Sequence, residues 1–159
     1  MVSSVPACKA AILARLRGHD RDDFTSEAEG LAGVQVSWGS PHPKDQQREL
    51  IYIGAAKGVA RVYTAGLARA NEFYQLEIII DVLDSSQRSQ QELLTRAYEL
   101  MAIVEASIVA WAHEDNPFDG AVNIMTVGPL TDNEIIPEEN TQVRVASITC
   151  ELNVKARIS

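Results

Sequence analysis

Between Ser89 and His113, apolar side chains recur at Leu94, Ala97, Met101, Val104, Ile108 and Trp111. The steps alternate between three and four residues, and only an α-helix gathers such positions on one face. Leu93, Tyr98 and Leu100 broaden the stripe. Ser89-Gln90-Gln91-Glu92 has the form of a capping box and opens the helix, and Asn116-Pro117 closes it. Such a helix is roughly 35 Å long at 1.5 Å per residue. Its apolar face needs a surface of similar length to lie on, so the chain has to supply a broad layer elsewhere.

The flanking segments supply strands. Tyr74, Leu76, Ile78, Ile80 and Val82 alternate with Gln75, Glu77, Ile79 and Asp81, which predicts a strand over Phe73–Leu83. Ala146, Ile148, Cys150, Leu152, Val154, Ala156 and Ile158 share one parity, which predicts a long closing strand over Thr141–Ile158. Val143 and Val145 have the opposite parity, so a bulge or change of facing is expected near Ala146. Shorter strands are expected at Val34–Trp38, Glu49–Gly54 and Gly120–Gly128. A short helix is expected over Pro6–Gly18, with proline in the first turn and glycine at the stop. Residues 54–71 lose periodicity and read as a long loop or an extended hairpin, and residues 129–140 read as an acidic loop. The order describes one α+β domain over 1–159, with a mainly antiparallel sheet packed against one long helix and a short N-terminal helix beside it. The 54–71 and 129–140 loops are expected to project.

Chemistry is thinly supported. His19, His42 and His113 are far apart, and none stands in a metal-ligand spacing. Asp20, Asp22 and Asp23 lack the glycine and terminal glutamate of a calcium loop. Cys8 and Cys150 are too few for a disulfide framework, and Cys150 shares the apolar parity of its strand. No phosphate-cradling or nucleophile-elbow motif occurs, so no enzyme, cofactor or metal is expected. The start of the chain has no apolar region of a secretory signal, and no run reaches membrane-spanning length, so a cytoplasmic, membrane-free origin is expected.

Charge is more informative. The net charge is −8, which disfavours general nucleic-acid binding. Against that background, Lys9, Arg15 and Arg17 give the first helix three cations and no acid. Lys57, Arg61 and Arg69 do the same for 54–71. Glu134, Glu138 and Glu139 concentrate negative charge in 129–140. Opposite-sign segments and very long strands suit subunit assembly. The basic helix and the acidic loop are candidate complementary surfaces, and 54–71 is a candidate docking segment.

Five stretches carry a family resemblance. They are Ile12-Leu13-Ala14-Arg15-Leu16, Val34-Gln35-Val36-Ser37-Trp38-Gly39 and Arg48-Glu49-Leu50-Ile51-Tyr52-Ile53-Gly54, then Phe73 to Val82 with the helix after it, and finally Val154-Lys155-Ala156-Arg157-Ile158. In this order the layout resembles the tail terminator, or tail-completion, proteins of long-tailed, non-contractile bacteriophages. The resemblance implies a structural virion protein at the head-proximal end of the tail, assembled in the host cytoplasm. It implies a hexameric ring that caps the tail tube, ends its polymerisation and offers a joining face to the head–tail connector. The implied partners are other copies of the chain, the major tail tube protein and a connector or neck protein. Other tail or neck ring components, such as a tube or connector subunit, share this ring-forming physics. A small cytosolic α+β enzyme or ligand-binding domain is the alternative of a different class, and it requires a pocket with convergent polar groups. No catalytic residue follows from the resemblance. In such a ring, Lys57, Arg61 and Arg69 facing the lumen would touch passing DNA without regard to sequence.

Overall fold

The computed structural model describes residues 2–66, 68–84, 89–133 and 143–159. In chain order the elements are helix α1 (Val5–Arg17), strand β1 (Gln35–Trp38), strands β2 (Glu49–Tyr63) and β3 (Ala70–Asp84), helix α2 (Gln90–Ala112), and strands β4 (Ile124–Asn133) and β5 (Arg144–Ile158). The strands form one mixed sheet in the order β1-β2-β3-β5-β4. The fold is α+β, with both helices against the sheet.

The centre of the sheet is the β3–β5 pair. Its antiparallel register runs unbroken from Ala70 opposite Ile158 to Asp84 opposite Arg144. Even-numbered residues of both strands point to the core, where Leu76, Ile78, Ile80, Val82, Ile148, Leu152 and Ala156 are fully buried. The bulge expected near Ala146 is not there. Val145 simply lies on the other face, half-buried, and Val143 is exposed before the strand begins.

α2 lies over this face. The capping box forms both ways: the Glu92 amide donates to Ser89 Oγ at 3.2 Å, and the Ser89 amide donates to Glu92 Oε2 at 3.1 Å. Ala97, Met101, Val104, Ile108 and Trp111 are buried as the spacing predicts. At the start of the stripe, Leu93 is buried and Leu94 only partly so, and Tyr98 is exposed. The seam therefore runs along the Leu93–Leu100 side of the stripe. Beyond α2, Phe118 turns back to meet Trp111 edge to face, with ring centroids 5.3 Å apart. It does so from a left-handed backbone, with φ of 55°.

α1 covers the other end of the core, burying Cys8, Ile12, Leu13 and Leu16. It stops at Gly18, whose φ of 73° and 2.9 Å bond to the Ala14 carbonyl make a left-handed cap. A Cβ on Gly18 would stand 3.0 Å from the Ala28 amide nitrogen, so both conformation and space call for glycine.

Several sequence expectations need correction. β1 pairs with β2 in parallel, from Gln35 opposite Leu50 to Trp38 opposite Ile53, so the sheet is mixed, with its other three pairings antiparallel as the mainly antiparallel expectation has them. The intervening segment is too long for a hairpin turn. Gln35 holds it back along β1, its Nε2 donating to the Asp45 carbonyl and its Oε1 accepting from the Gln47 amide. β2 does not end at Gly54 but runs on to Tyr63, so residues 54–63 are strand, and of the two readings of this segment the extended hairpin is the one that fits. β4 occupies 124–133 rather than 120–128, which makes the first part of the expected 129–140 loop a strand. Residues 134–140 lie outside the described residues.

The periodicity of β2 is hidden by two register shifts, between Ile53 and Ala56 and between Lys57 and Ala60. Ile53 and Ala56 both face the core side, opposite Ile78 and Leu76, although their parities differ. After the second shift Arg61 returns to that side, opposite Glu72. Two bulges reverse the alternation twice within ten residues, leaving no period of two to read.

Candidate functional site

The sheet is covered by helices on one face only. Outward-facing β3 residues include Gln75, Glu77, Ile79 and Asp81, beside Ser147, Thr149, Glu151 and Asn153 of β5. Glu77 stands directly opposite Glu151, an unfavourable pairing of like charges. Lys57 of β2 relieves it by forming an ion pair with Glu77. Farther along, Asp81 has one carboxylate oxygen buried without a hydrogen-bond partner. Burial pushes its carboxyl above the ordinary 3.8, against a hydrogen bond from Ser147.

The Gly54–Tyr63 part of β2 forms an arm along the outer edge of β3, which itself stays paired with β5 as far as Ala70. Near its tip the arm is held by Glu72, which stands opposite Arg61 and is fully buried. The Ser4 amide donates to Glu72 Oε2 at 2.7 Å, Ser4 Oγ donates to the same oxygen at 2.6 Å, and Arg61 Nε donates to Oε1 at 3.1 Å. Ser4 is the N-cap of α1, and no side-chain cap is formed within the helix. A carboxylate from β3 therefore supplies the negative charge that the start of α1 lacks. Burial alone would raise the Glu72 carboxyl. The hydrogen bonds from Ser4, Ser3 and Arg61 outweigh it and hold the group below the ordinary 4.5. The Tyr74 hydroxyl lies 3.1 Å from Ser4 Oγ and completes the cluster. Val59 precedes this clamp and Val62 and Tyr63 follow it, and they are 49%, 57% and 62% exposed.

The candidate interface residues fall into three groups. Lys9 and Arg17 are only 9% exposed. Lys9 lies over the Trp38 ring and Arg17 over the Phe24 ring, at 5.5 and 5.3 Å, and Arg17 Nε donates to the Val36 carbonyl at 2.9 Å. Arg15 pairs with Glu114 at 2.7 Å and sits over Trp111. The cations of α1 are thus engaged within the chain, fastening the helix to β1 and α2. On the arm, Lys57 and Arg61 are partnered by Glu77 and Glu72 but remain part-exposed. Arg69 is exposed near the turn, where its carbonyl accepts from the Thr64 amide. Glu134, Glu138 and Glu139 lie outside the described residues. The structure gathers Lys57, Arg61 and Arg69 on one arm and leaves Lys9, Arg15 and Arg17 on a separate, internally satisfied helix. Sequence reasoning missed Glu72, because an acid at a core-facing position of an exposed-looking arm has no sequence signature.

Among the described residues no cluster of His, Cys, Asp and Glu could hold a metal ion. A cleft of about 480 Å³ opens beside β1, with Phe24 and Trp38 on its walls and Gln35, Ser37 and His42 among its polar groups. Those groups are turned toward the local backbone. Gln35 serves Asp45 and Gln47, Ser37 Oγ donates to the Gly39 carbonyl, and His42 Nδ1 accepts from the Lys44 amide. They build the loop rather than converge on a ligand. Burial pushes the thiols of Cys8 and Cys150 up to about 11, which opposes thiolate chemistry at either. No described helix is long and apolar enough to cross a membrane. Compared with protein-family models and with curated proteins, the chain matches none.

Proposed function

We propose that this protein is a structural subunit of a bacteriophage tail, a tail terminator. In this reading it forms a hexameric ring on the tail tube, ends tube polymerisation and presents a face to the head–tail connector. The reading rests on the ordered resemblance described above. The observation that carries it furthest is the arm, an edge strand with Val59, Val62 and Tyr63 in solvent, held near its tip by buried Glu72. Exposed apolar side chains along an open strand edge suit a contact made in an assembly. The β1 cleft, whose named polar groups bond to their own loop, supports a ligand-binding reading less well.

Electron microscopy of particles assembled without this protein tests the proposal. Abnormally long tails, or tails unjoined to heads, are expected. Normal tails joined to heads would overturn it. Tubes that fail to form at all would transfer the role to a tube subunit.

A further inference from the structure

Two strand edges of the sheet are open, and they differ. β1 occupies the outer side of β2 only from Leu50 to Ile53. From Gly54 to Tyr63 no described strand pairs with that side, and none pairs with the outer side of β4. Unpaired edges are templates for another strand, here in short runs between the two shifts of β2 and on either side of Gly128-Pro129 in β4. Both carry apolar side chains in solvent: Val59 and Val62 on the β2 edge, Ile124 and Leu130 on β4. Residues 54–63 hold Lys57 and Arg61, already paired with Glu77 and Glu72 of β3, and 124–133 hold Asp132 with no base, so the edges do not repel one another and apolar contact and main-chain pairing carry the match.

Strand direction matches as well. β2, β3, β5 and β4 alternate in direction across the sheet. If a second copy stands beside the first in the same orientation, the β4 of one meets the β2 of the next antiparallel, and the alternation continues without a fault. β1 blocks the base of β2, so the incoming β4 lies shifted toward the arm tip. The contact joins two different surfaces and is therefore heterologous, the kind that generates rings when the rotation closes.

We infer that the Gly54–Tyr63 edge of the arm pairs with the β4 edge of a second copy of this chain, so that the sheet continues from subunit to subunit. The inference rests on the ring reading for its closure, and it names the surfaces that reading leaves open.

Sedimentation of the full chain over a concentration series tests it with two double variants. One carries Val59→Lys and Val62→Lys, and the other Ile124→Lys and Leu130→Lys. All four positions are exposed, and melting by circular dichroism checks that each variant folds. Each variant alone should need a concentration higher by about tenfold or more to associate. Mixed, they retain one good edge of each kind and should give one-to-one dimers that grow no further. In the wild type, amide exchange should slow at 55–63 and 124–133 on association, which holds the test even if a variant misfolds. Wild-type behaviour of either variant, dimers of one variant alone, or protection at a single edge would overturn the edge pairing. A chain monomeric at every concentration would also overturn it, leaving the ring reading to particle microscopy. Edge-paired assemblies from a chain whose loss leaves tails normal would instead remove the terminator role alone.

Discussion

β2 behaves as two different strands. From Leu50 to Ile53 it lies between β1 and β3, and Leu50, Ile51 and Ile53 are fully buried. From Lys57 to Tyr63 it has one neighbour and every residue is exposed. Both halves hydrogen-bond to β3, so pairing alone does not separate them. The difference lies in what stands on the faces and beyond the edge. In the base half, burial specifies the register, because a slip by one residue would turn Ile51 and Ile53 away from the core. In the arm that force is absent, and two bulges together with the Glu72 clamp set the geometry instead.

The largest expected effect comes from breaking the packing of α2 on the sheet, the kind of burial that fixes the base half and that the arm lacks. Met101→Ala or Ile108→Ala should lower stability by about 2–5 kcal/mol in a denaturant titration, because each leaves a cavity under the sheet. A loss below about 0.5 kcal/mol, typical of surface positions, would contradict their burial.

Glu72→Gln should be next. Its effect is expected at about 1–3 kcal/mol, since buried donors at Ser4 lose a charged acceptor. The pH dependence is specific. The Glu72 carboxyl is held below its ordinary value, so its contribution is present above about 4.5 and fades as pH falls through the folded value. The gap between wild type and variant should therefore narrow in acid. A gap independent of pH would mean that the clamp acts by shape alone.

Asp81, on the same strand but the opposite face, should respond with the opposite sign. Its carboxyl is raised, so ionisation opposes folding at neutral pH, and wild-type stability is regained as pH falls through the folded value. Asp81→Asn should raise the melting temperature near pH 7, with the advantage vanishing below about 3.8. A lower melting temperature at neutral pH would show that the carboxylate serves a contact worth more than its burial.

The smallest effect on stability belongs to the arm surface. Val62→Lys should change the stability of the monomeric chain by less than about 0.5 kcal/mol, as at other exposed positions. A larger loss in the same denaturant titration would mean that the Val62 side chain packs within its own chain.

The candidate interface shows how unevenly charge can be read. Lys9, Arg15 and Arg17 look like a basic surface in the sequence, yet aromatic rings, a backbone carbonyl and Glu114 receive them. Long cationic side chains reach partners that sequence spacing does not reveal. Lys57, Arg61 and Arg69 look the same in sequence, and the hairpin does bring them to one part of the molecule.

Local pattern alone determined α2, its capping box, and the inward faces of β3 and β5. The capping box is read from four consecutive residues, and the burial of the faces follows from one regular repeat. Tertiary structure decided the rest. The parallel pairing of β1 depends on Gln35 binding a loop ten residues away. The length of β2 depends on bulges that scramble its alternation, and the burial of Glu72 depends on Ser4, 68 residues distant in the chain. These features rest on partners remote in sequence, and a remote partner leaves no period for a local pattern to show.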